Sequence, residues 1–549
     1  MDSRGRTRRT RKRARDLQEV VDNNSELLDG LSMDGEGYVK LDQNLIKRLK
    51  PKENEPKETN PFEDFPEFTN VLKLGSSVTL DFIQECSDRF NEDPFAQKMA
   101  DILGNLPLEL IALKYSQLKA DDWNYSITLP ENPKVSNQES SGRCWEFAAL
   151  NRLRYGVMRK FQLDSKFEFS QTYLYFYDKL ERSALFLEYM WEMRHNDLFD
   201  PKMRMFMDIN SDAHPLSDGG QYSYFVNLAN KYGLVPKNIY GESYNSRSSD
   251  TMNTIIKTVL SHMTLEIFEN KDKWDQEEFQ LEKDTYMISI YDLLVRFMGE
   301  PPKPSDSFDW SYKDINGNCH TVKNLTPEKF YRIIASDSED KITVIHDPRH
   351  PETYFIPSWL EFGLNVHGTY PVSMINLPMN VFKRIIYDSL KNEDPVWFTC
   401  DVSHGHDFDA KTWDTQRFNY DDILGIQTEF SKEDMLDLLT SRPEHAMVFN
   451  GVDAVEDDDG NVVEYKKWRI DNSWGSSDNV EEEKDYGYYR MTDDFFNKYV
   501  YHAVVDLKYF EPDEAKAILE NANEGKSFTY RFTDAFGTVA QCNHCKGKK

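Results

Sequence analysis

A cysteine at the start of a helix has different chemistry from one in a core. The segment NQESSGRCW (137–145) sets Cys144 just after Ser140, Ser141 and Gly142, and just before an apolar-periodic stretch at 145–161. Ser and Gly cap and turn chains, so the spacing predicts a helix that starts near Cys144. At that end the helix dipole lowers a thiol's pKa. The backbone N–H of Cys144 then has no intrahelical acceptor and can meet an oxyanion. Gln138, six residues earlier, can fold back and offer its side-chain amide as a second donor. Alone, a cysteine is most often a small buried hydrophobe. Nucleophilic chemistry also needs a base and a group that orients the base.

The segment HAMVFNGVDAVEDDDGNVVEYKKWRIDNSWG, His445 to Gly475, supplies both. Two strand-like runs flank an acidic turn at Asp458, Asp459 and Gly460. In a simple hairpin, numbers directly opposite sum to a constant. His445 and Asn472 sum to 917, which centres the turn between Asp458 and Asp459. That register sets the two side by side at the open end, where an Asn amide oxygen fixes an imidazole's tautomer and orientation.

The elements that must hold these groups come from 549 residues, 39% hydrophobic and 13% aromatic, enough apolar material for a large core. Residues 1–15 hold eight basic residues and one acid, the pattern of a solvated tail or a polyanion-binding segment. Residues 16–50 carry two weakly helical stretches, and the four prolines of 51–66 read as a linker. Residues 78–103 read as mostly helical, with Gly104 and Pro107 interrupting before Leu108. The stretch 145–161 is a strong helix with Leu150, Leu153, Val157 and Phe161 on one face. The reading stays helical to about 300, broken by the loop 214–221. Strand-like runs KITVIHD, TYPVSMINL, PVWFTCDV, HAMVFNGVDAV and NVVEYKKWRI follow after 340. Helices first and strands later indicate an α+β fold.

The net charge of −29 argues against nucleic-acid and anionic-membrane partners for the body of the chain. Six scattered cysteines and no long apolar run describe a soluble, reduced, cytoplasmic chain, with nuclear access only through the basic N-terminal segment. EDDDGN fails as a calcium loop, because Val455 and Lys466 fall on its first and twelfth positions. Cys542, His544 and Cys545 make half a zinc site with no second ligand pair nearby, so no metal or cofactor is expected. A competing reading is a nucleic-acid-binding or scaffold protein that uses the basic tail and keeps the rest of the fold catalytically idle.

Taken together, NQ-x-x-S-G-R-C-W, HAM and W-R-I-D-N-S-W-G resemble the bleomycin hydrolase and aminopeptidase C family of papain-like cysteine peptidases. The resemblance runs from about 70 to 540 and includes GLVPKNIYGES, NLPMNVFKRII and GYYRMTDDFFNKYVYHAVVD. His445 lies 301 residues after Cys144, far beyond the papain interval of ~130–150, and the family's insertions occupy that interval. The resemblance implies a papain-like core with inserted helical and hook subdomains, a homohexamer with an internal chamber, and aminopeptidase action on peptides and on bleomycin-like amides. It implies Cys144 as nucleophile, His445 as base, Asn472 as its partner and Gln138 in the oxyanion hole. It also implies that Trp474 shields the Asn–His contact and that Gly219 and Gly220 pair with substrate backbone, the alternative being that DGG is an ordinary turn.

The same resemblance divides the chain into a tail and linker (1–66), a peptidase domain (67–530) and a C-terminal arm with extra tail (531–549). In the family the arm lies in the cleft, and its terminal carboxylate holds the substrate's amino group. DAFGTVA (534–540) matches the arm's end at Asp534, Gly537 and Ala540, with Ala535 where the family has Pro. Nine further residues, QCNHCKGKK, imply that the enzyme trims itself back to near Ala540.

Overall fold

The residue before a proline is pushed out of helical geometry, and Asp93, extended ahead of Pro94, divides the long helical stretch into Leu80–Glu92 and Pro94–Leu103. Thr79 caps the first of these by accepting the N–H of Phe82 at 3.1 Å. The computed structural model describes residues 31–33, 39–41 and 78–537, apart from 115, 117–121, 212–213, 335–340, 370 and 477–486. Two compact units result, Met1–Pro94 and Phe95–Lys549. Within 16–50 the described pieces are strands, not helices. Leu31–Met33 pairs antiparallel with Val39–Leu41, and three-residue strands are too short to carry a periodic signal. The basic segment 1–15 and the linker 51–66 lie outside the described residues.

In the second unit the main helices before residue 300 are α1 (Cys144–Phe161), α2 (Gln171–Glu192), α3 (Tyr222–Tyr232), α4 (Asp250–Glu269) and α5 (Gln276–Met298). Short helices Pro201–Met207 and Tyr244–Arg247 fill the gaps. Helix α1 has more than one apolar face. Only Gly156, Arg159, Lys160 and Phe161 escape burial, because α2 and α3 pack on one side of it and the sheet on another. Helix α2 starts at Ser170, whose hydroxyl accepts the N–H of Tyr173 at 3.1 Å, and α5 starts in a capping box of Asp275 and Glu278.

The strands that hold the site are β1 (Lys341–Ile345), β2 (Pro357–Leu360), β3 (Ser373–Asn376), β4 (Val396–Cys400), β5 (His445–Glu456), β6 (Val462–Asp471), β7 (Tyr488–Thr492), β8 (Val500–Asp506) and β9 (Phe528–Tyr530). They run side by side as β7-β6-β5-β4-β8-β1-β3-β2-β9, with two-residue strands beyond β7. All five strand-like runs of the sequence are strands here. β2, β7, β8 and β9 are additional, three of them only three to five residues long. Strand β4 is buried throughout; α1 to α5 precede these strands in sequence, while the helices Met379–Lys391, Asp493–Tyr499 and Pro512–Asn523 fall between them, an α+β arrangement. A separate hairpin pairs Phe308–Lys313 with Cys319–Leu325. Among the described residues no helix is long and apolar enough to cross a membrane.

Candidate functional site

Helix α1 begins at Cys144, as its spacing predicts, but not by a serine cap. The capping position is Arg143, with no side-chain cap bond. Ser141 Oγ instead donates to the carbonyl of Gln138 at 2.7 Å and accepts from Arg143 Nε at 3.0 Å, which closes the loop on itself. Cys144 is fully buried and not in a disulfide, and its Sγ lies 4.0 Å from the Gly142 carbonyl. Gln138 Nε2 donates to the Ser141 carbonyl at 2.6 Å. A primary amide has two N–H groups, so one remains for an oxyanion.

His445 opens β5. The hairpin register differs from the simple one. Paired numbers sum to 918–920 rather than 917, with shifts after Phe449, Asp453 and Val455. His445 pairs in the sheet with Cys400 on its other side. Its side chain still reaches Asn472, with Nε2 2.8 Å from Oδ1. A diagonal cross-strand pair explains this, since a shift of two numbers keeps both residues on one face. The same Oδ1 accepts the N–H of Ser473 at 2.7 Å, so it must be the oxygen and His445 Nε2 must carry the proton. Nδ1, the other ring nitrogen, is buried without a hydrogen-bond partner among the described residues. The imidazole is therefore set to take a proton at Nδ1. The Trp474 indole stacks on this ring at 4.9 Å and 20°.

The glutamine and asparagine segments are sewn together. The N–H of Gln138 donates to the Ser473 carbonyl at 2.9 Å, and that of Gly475 donates to the Ser136 carbonyl at 2.9 Å, flanking an antiparallel bridge between Asn137 and Trp474. Ser473 Oγ donates to Gln138 Oε1 at 2.5 Å. Reading the sequence for donors and bases passes over Ser473, which was visible only as the middle of N-S-W.

Gly219 and Gly220 flank this site from the other side. A Cβ on Gly220 would lie 2.5 Å from the Trp145 indole, so only glycine lets the loop approach the residue after Cys144. The Gly219 carbonyl accepts from Arg182 Nη1 at 3.1 Å. Asp218, unremarked in the sequence, is buried beside them. Burial alone would raise its carboxyl. Lys179 and the donors of Ser249 and Tyr175 overrule that and hold it well below the usual carboxylate range. Beyond His445, burial and then Asp401 push Glu444 up to about 7.

Ala540 and the tail after it lie outside the described residues. The arm is described as far as Gly537. Arg349 Nη1 and Nη2 reach Asp534 at 3.1 and 3.0 Å while the same guanidinium holds Asp347, and Phe536 is fully buried against Tyr530 and His502. A cavity of about 60 Å³ is lined by Phe532 and Gly537 on the arm side, and by Pro215 and Ser217 on the loop that leads to Gly219. Among the described residues no group of three or more His, Cys, Asp or Glu could hold a metal ion. The half zinc site at Cys542, His544 and Cys545 lies outside them.

The chain is similar to known proteins over most of its length. The Peptidase C1-like family matches residues 77–527. Aminopeptidase C of Lactobacillus delbrueckii subsp. lactis is 36% identical over 455 residues, covering 82% of this chain and 96% of that protein. Bleomycin hydrolase of Homo sapiens is 32% identical over 441 residues, covering 79% and 93%. The crystal structure of pepW from Lactobacillus rhamnosis HN001 superposes with a TM-score of 0.77 at 30% identity, covering 85% of this chain and all of that one. Matches of this length and identity, with a superposition of that quality, leave one assignment: the chain belongs to the Peptidase C1-like family and is a cysteine peptidase of papain-like α+β fold.

Proposed function

We propose that this enzyme is a cysteine aminopeptidase that works through Cys144, His445, Asn472 and Gln138. The contact between His445 Nε2 and Asn472 Oδ1 at 2.8 Å carries the reading, because it leaves Nδ1 as the atom that takes the thiol proton. The thiolate attacks the scissile carbonyl. The resulting oxyanion is held by the Cys144 N–H and the remaining N–H of Gln138. Collapse expels the amine, which takes its proton from His445, and leaves a thioester on Cys144. His445 then draws a proton from water, which hydrolyses the thioester. Asn472 keeps the imidazole in register, Trp474 covers that contact, and Gly219 and Gly220 form the rail for substrate backbone.

The exopeptidase part rests on the arm. Arg349 anchors it at Asp534, and the cavity shared by Gly537 and Ser217 supports a path toward the cleft. A carboxylate at Ala540, left when the enzyme removes its last nine residues, would hold a substrate's amino group and limit cleavage to one residue. Peptides are the main substrates, and bleomycin-like amides fit the same chemistry, as the name of the human relative suggests. The remaining features follow the family: inserted helical and hook subdomains, the hairpin Phe308–Lys313/Cys319–Leu325 among them, and a homohexamer. Cys86, Cys144, Cys319 and Cys400, none of them in a disulfide, suit a reducing, cytoplasmic setting. Digestion of a mixed peptide library tests the reading. Residues leaving singly from free N-termini support it. Internal cuts would mean an endopeptidase, and no cleavage by folded, reduced protein would favour the scaffold alternative.

A further inference from the structure

One buried residue, Asp218, touches both sides of Cys144, with its carboxylate on one side and its backbone carbonyl on the other. Asp218 Oδ2 accepts the N–H of Gly142 at 3.1 Å, two residues before the thiol, and also the hydroxyl of Ser249. Its backbone carbonyl accepts the indole N–H of Trp145 at 2.8 Å, one residue after it. Oδ1 accepts from Tyr175 Oη at 2.7 Å, Asn253 Nδ2 at 2.6 Å and Lys179 Nζ at 2.9 Å. Every one of these partners is a donor. Only an acceptor-only side chain satisfies them all, so Asn in this position would turn an N–H against an N–H.

Asp218 also precedes Gly219 and Gly220 directly, and the Trp145 indole that it holds is the surface against which Gly220 packs. Lys179 Nζ and Arg182 Nη1 bind the carbonyls of 215–217 and 219 from helix α2, so the loop around Asp218 has little freedom of its own. The Gly219–Gly220 segment and the nucleophile are thus joined through a single residue.

We propose that Asp218 is a positioning residue for acylation: by clamping the Gly219–Gly220 segment to Gly142 and Trp145, it fixes the distance between a bound scissile carbonyl and Cys144. The proposal rests on Cys144 being the nucleophile and on Gly219–Gly220 carrying substrate backbone. A misplacement of about 1 Å is enough to cost ~10² in rate. Tyr175 and Ser249 also touch the loop before the thiol, the first through the Arg143 guanidinium over its ring and the second through its N–H to the Ser140 carbonyl. Asn253 holds the same carboxylate from helix α4 and serves as the control for stability.

The test compares Asp218→Asn with Asn253→Ala in the full-length enzyme. It reads kcat and KM on an aminoacyl fluorogenic substrate, melting temperature, and the pH profile of Cys144 alkylation by iodoacetamide. The expected result is a fall in kcat of ~10² or more for Asp218→Asn, with the acid limb of alkylation unmoved. Asn253→Ala should lose stability with a much smaller change in kcat. If the two variants lose kcat in proportion to their loss of melting temperature, Asp218 is merely structural and the proposal is overturned. If Asp218→Asn does not fold, Trp145→Phe is read instead. It removes the bond to the Asp218 carbonyl together with part of the surface against which Gly220 packs, both links of the clamp, and should lower kcat more than alkylation, whereas an unchanged kcat overturns the proposal. A wild type that neither hydrolyses the substrate nor alkylates at Cys144 would defeat the peptidase reading itself, a separate failure.

Discussion

Ser473 donates its hydroxyl to the side-chain oxygen of Gln138 at 2.5 Å, and its backbone N–H donates to the Asn472 oxygen that faces His445. One serine therefore orients both the Gln138 amide and the Asn472 amide, the proposed oxyanion donor and partner of the base. Gln138→Ala should lower kcat by ~10²–10³ with little effect on KM, because its amide meets charge that exists only in the transition state. Ser473→Ala should act in the same direction but less, since it loosens the amide without removing it. Steady-state kinetics on an aminoacyl substrate check both, and a change confined to KM would contradict the role.

His445→Ala should remove general-base catalysis worth ~10²–10⁴. Asn472→Ala should cost less, because a misoriented imidazole still accepts a proton. The order of the two losses in kcat/KM is the readout. A larger loss for Asn472→Ala would mean that the structural and chemical parts have been exchanged.

Much of this site was legible as sequence because its parts are local. A turn followed by an apolar-periodic helix identified the start at Cys144, and two strand-like runs about an acidic turn brought His445 near Asn472. The exact pairing was not legible. Three register shifts in one hairpin depend on tertiary packing, and each moves the count by one. Asp218 was hidden for a similar reason, since its partners come from residues 142, 145, 175, 179, 249 and 253 and meet only in the fold. Strands β2 and β9 were missed because four- and three-residue runs give no period to read.

Asp471, the residue before Asn472, ties stability to pH. Burial pushes its carboxyl up to about 7, against the pull of Arg154 and the Tyr155 hydroxyl. In the unfolded chain it ionises near its ordinary value of about 4. Between those values the folded form holds a proton that the unfolded form has released, so stability falls as pH rises from about 4 to about 7, then levels off. Asp471→Asn removes this contribution. Its melting temperature should decline less than that of the wild type across that window, and parallel curves would contradict the assignment.

The arm should be separable from the chemistry. Arg349→Met cuts the anchor at Asp534 and removes the cation paired with Asp347, which keeps the Tyr530 hydroxyl. The variant should keep thiol-dependent hydrolysis of short substrates while gaining cuts within longer, N-terminally blocked peptides. Mass spectrometry of the products is the check. Unaltered single-residue release would mean that the arm does not depend on this clasp, and loss of all activity by folded protein would mean that Arg349 serves the site in another way.

The central claim is that Cys144 is the nucleophile, and it has one most direct measurement. Wild type and Cys144→Ala are purified reduced, checked for equal folding, and assayed on an aminoacyl fluorogenic substrate with and without iodoacetamide. The account predicts hydrolysis by the wild type alone, abolished as one carboxamidomethyl group is found by peptide mapping on Cys144. Appreciable turnover by the folded Cys144→Ala protein, or inactivation that tracks modification of Cys400, Cys319 or Cys86 instead, would contradict it.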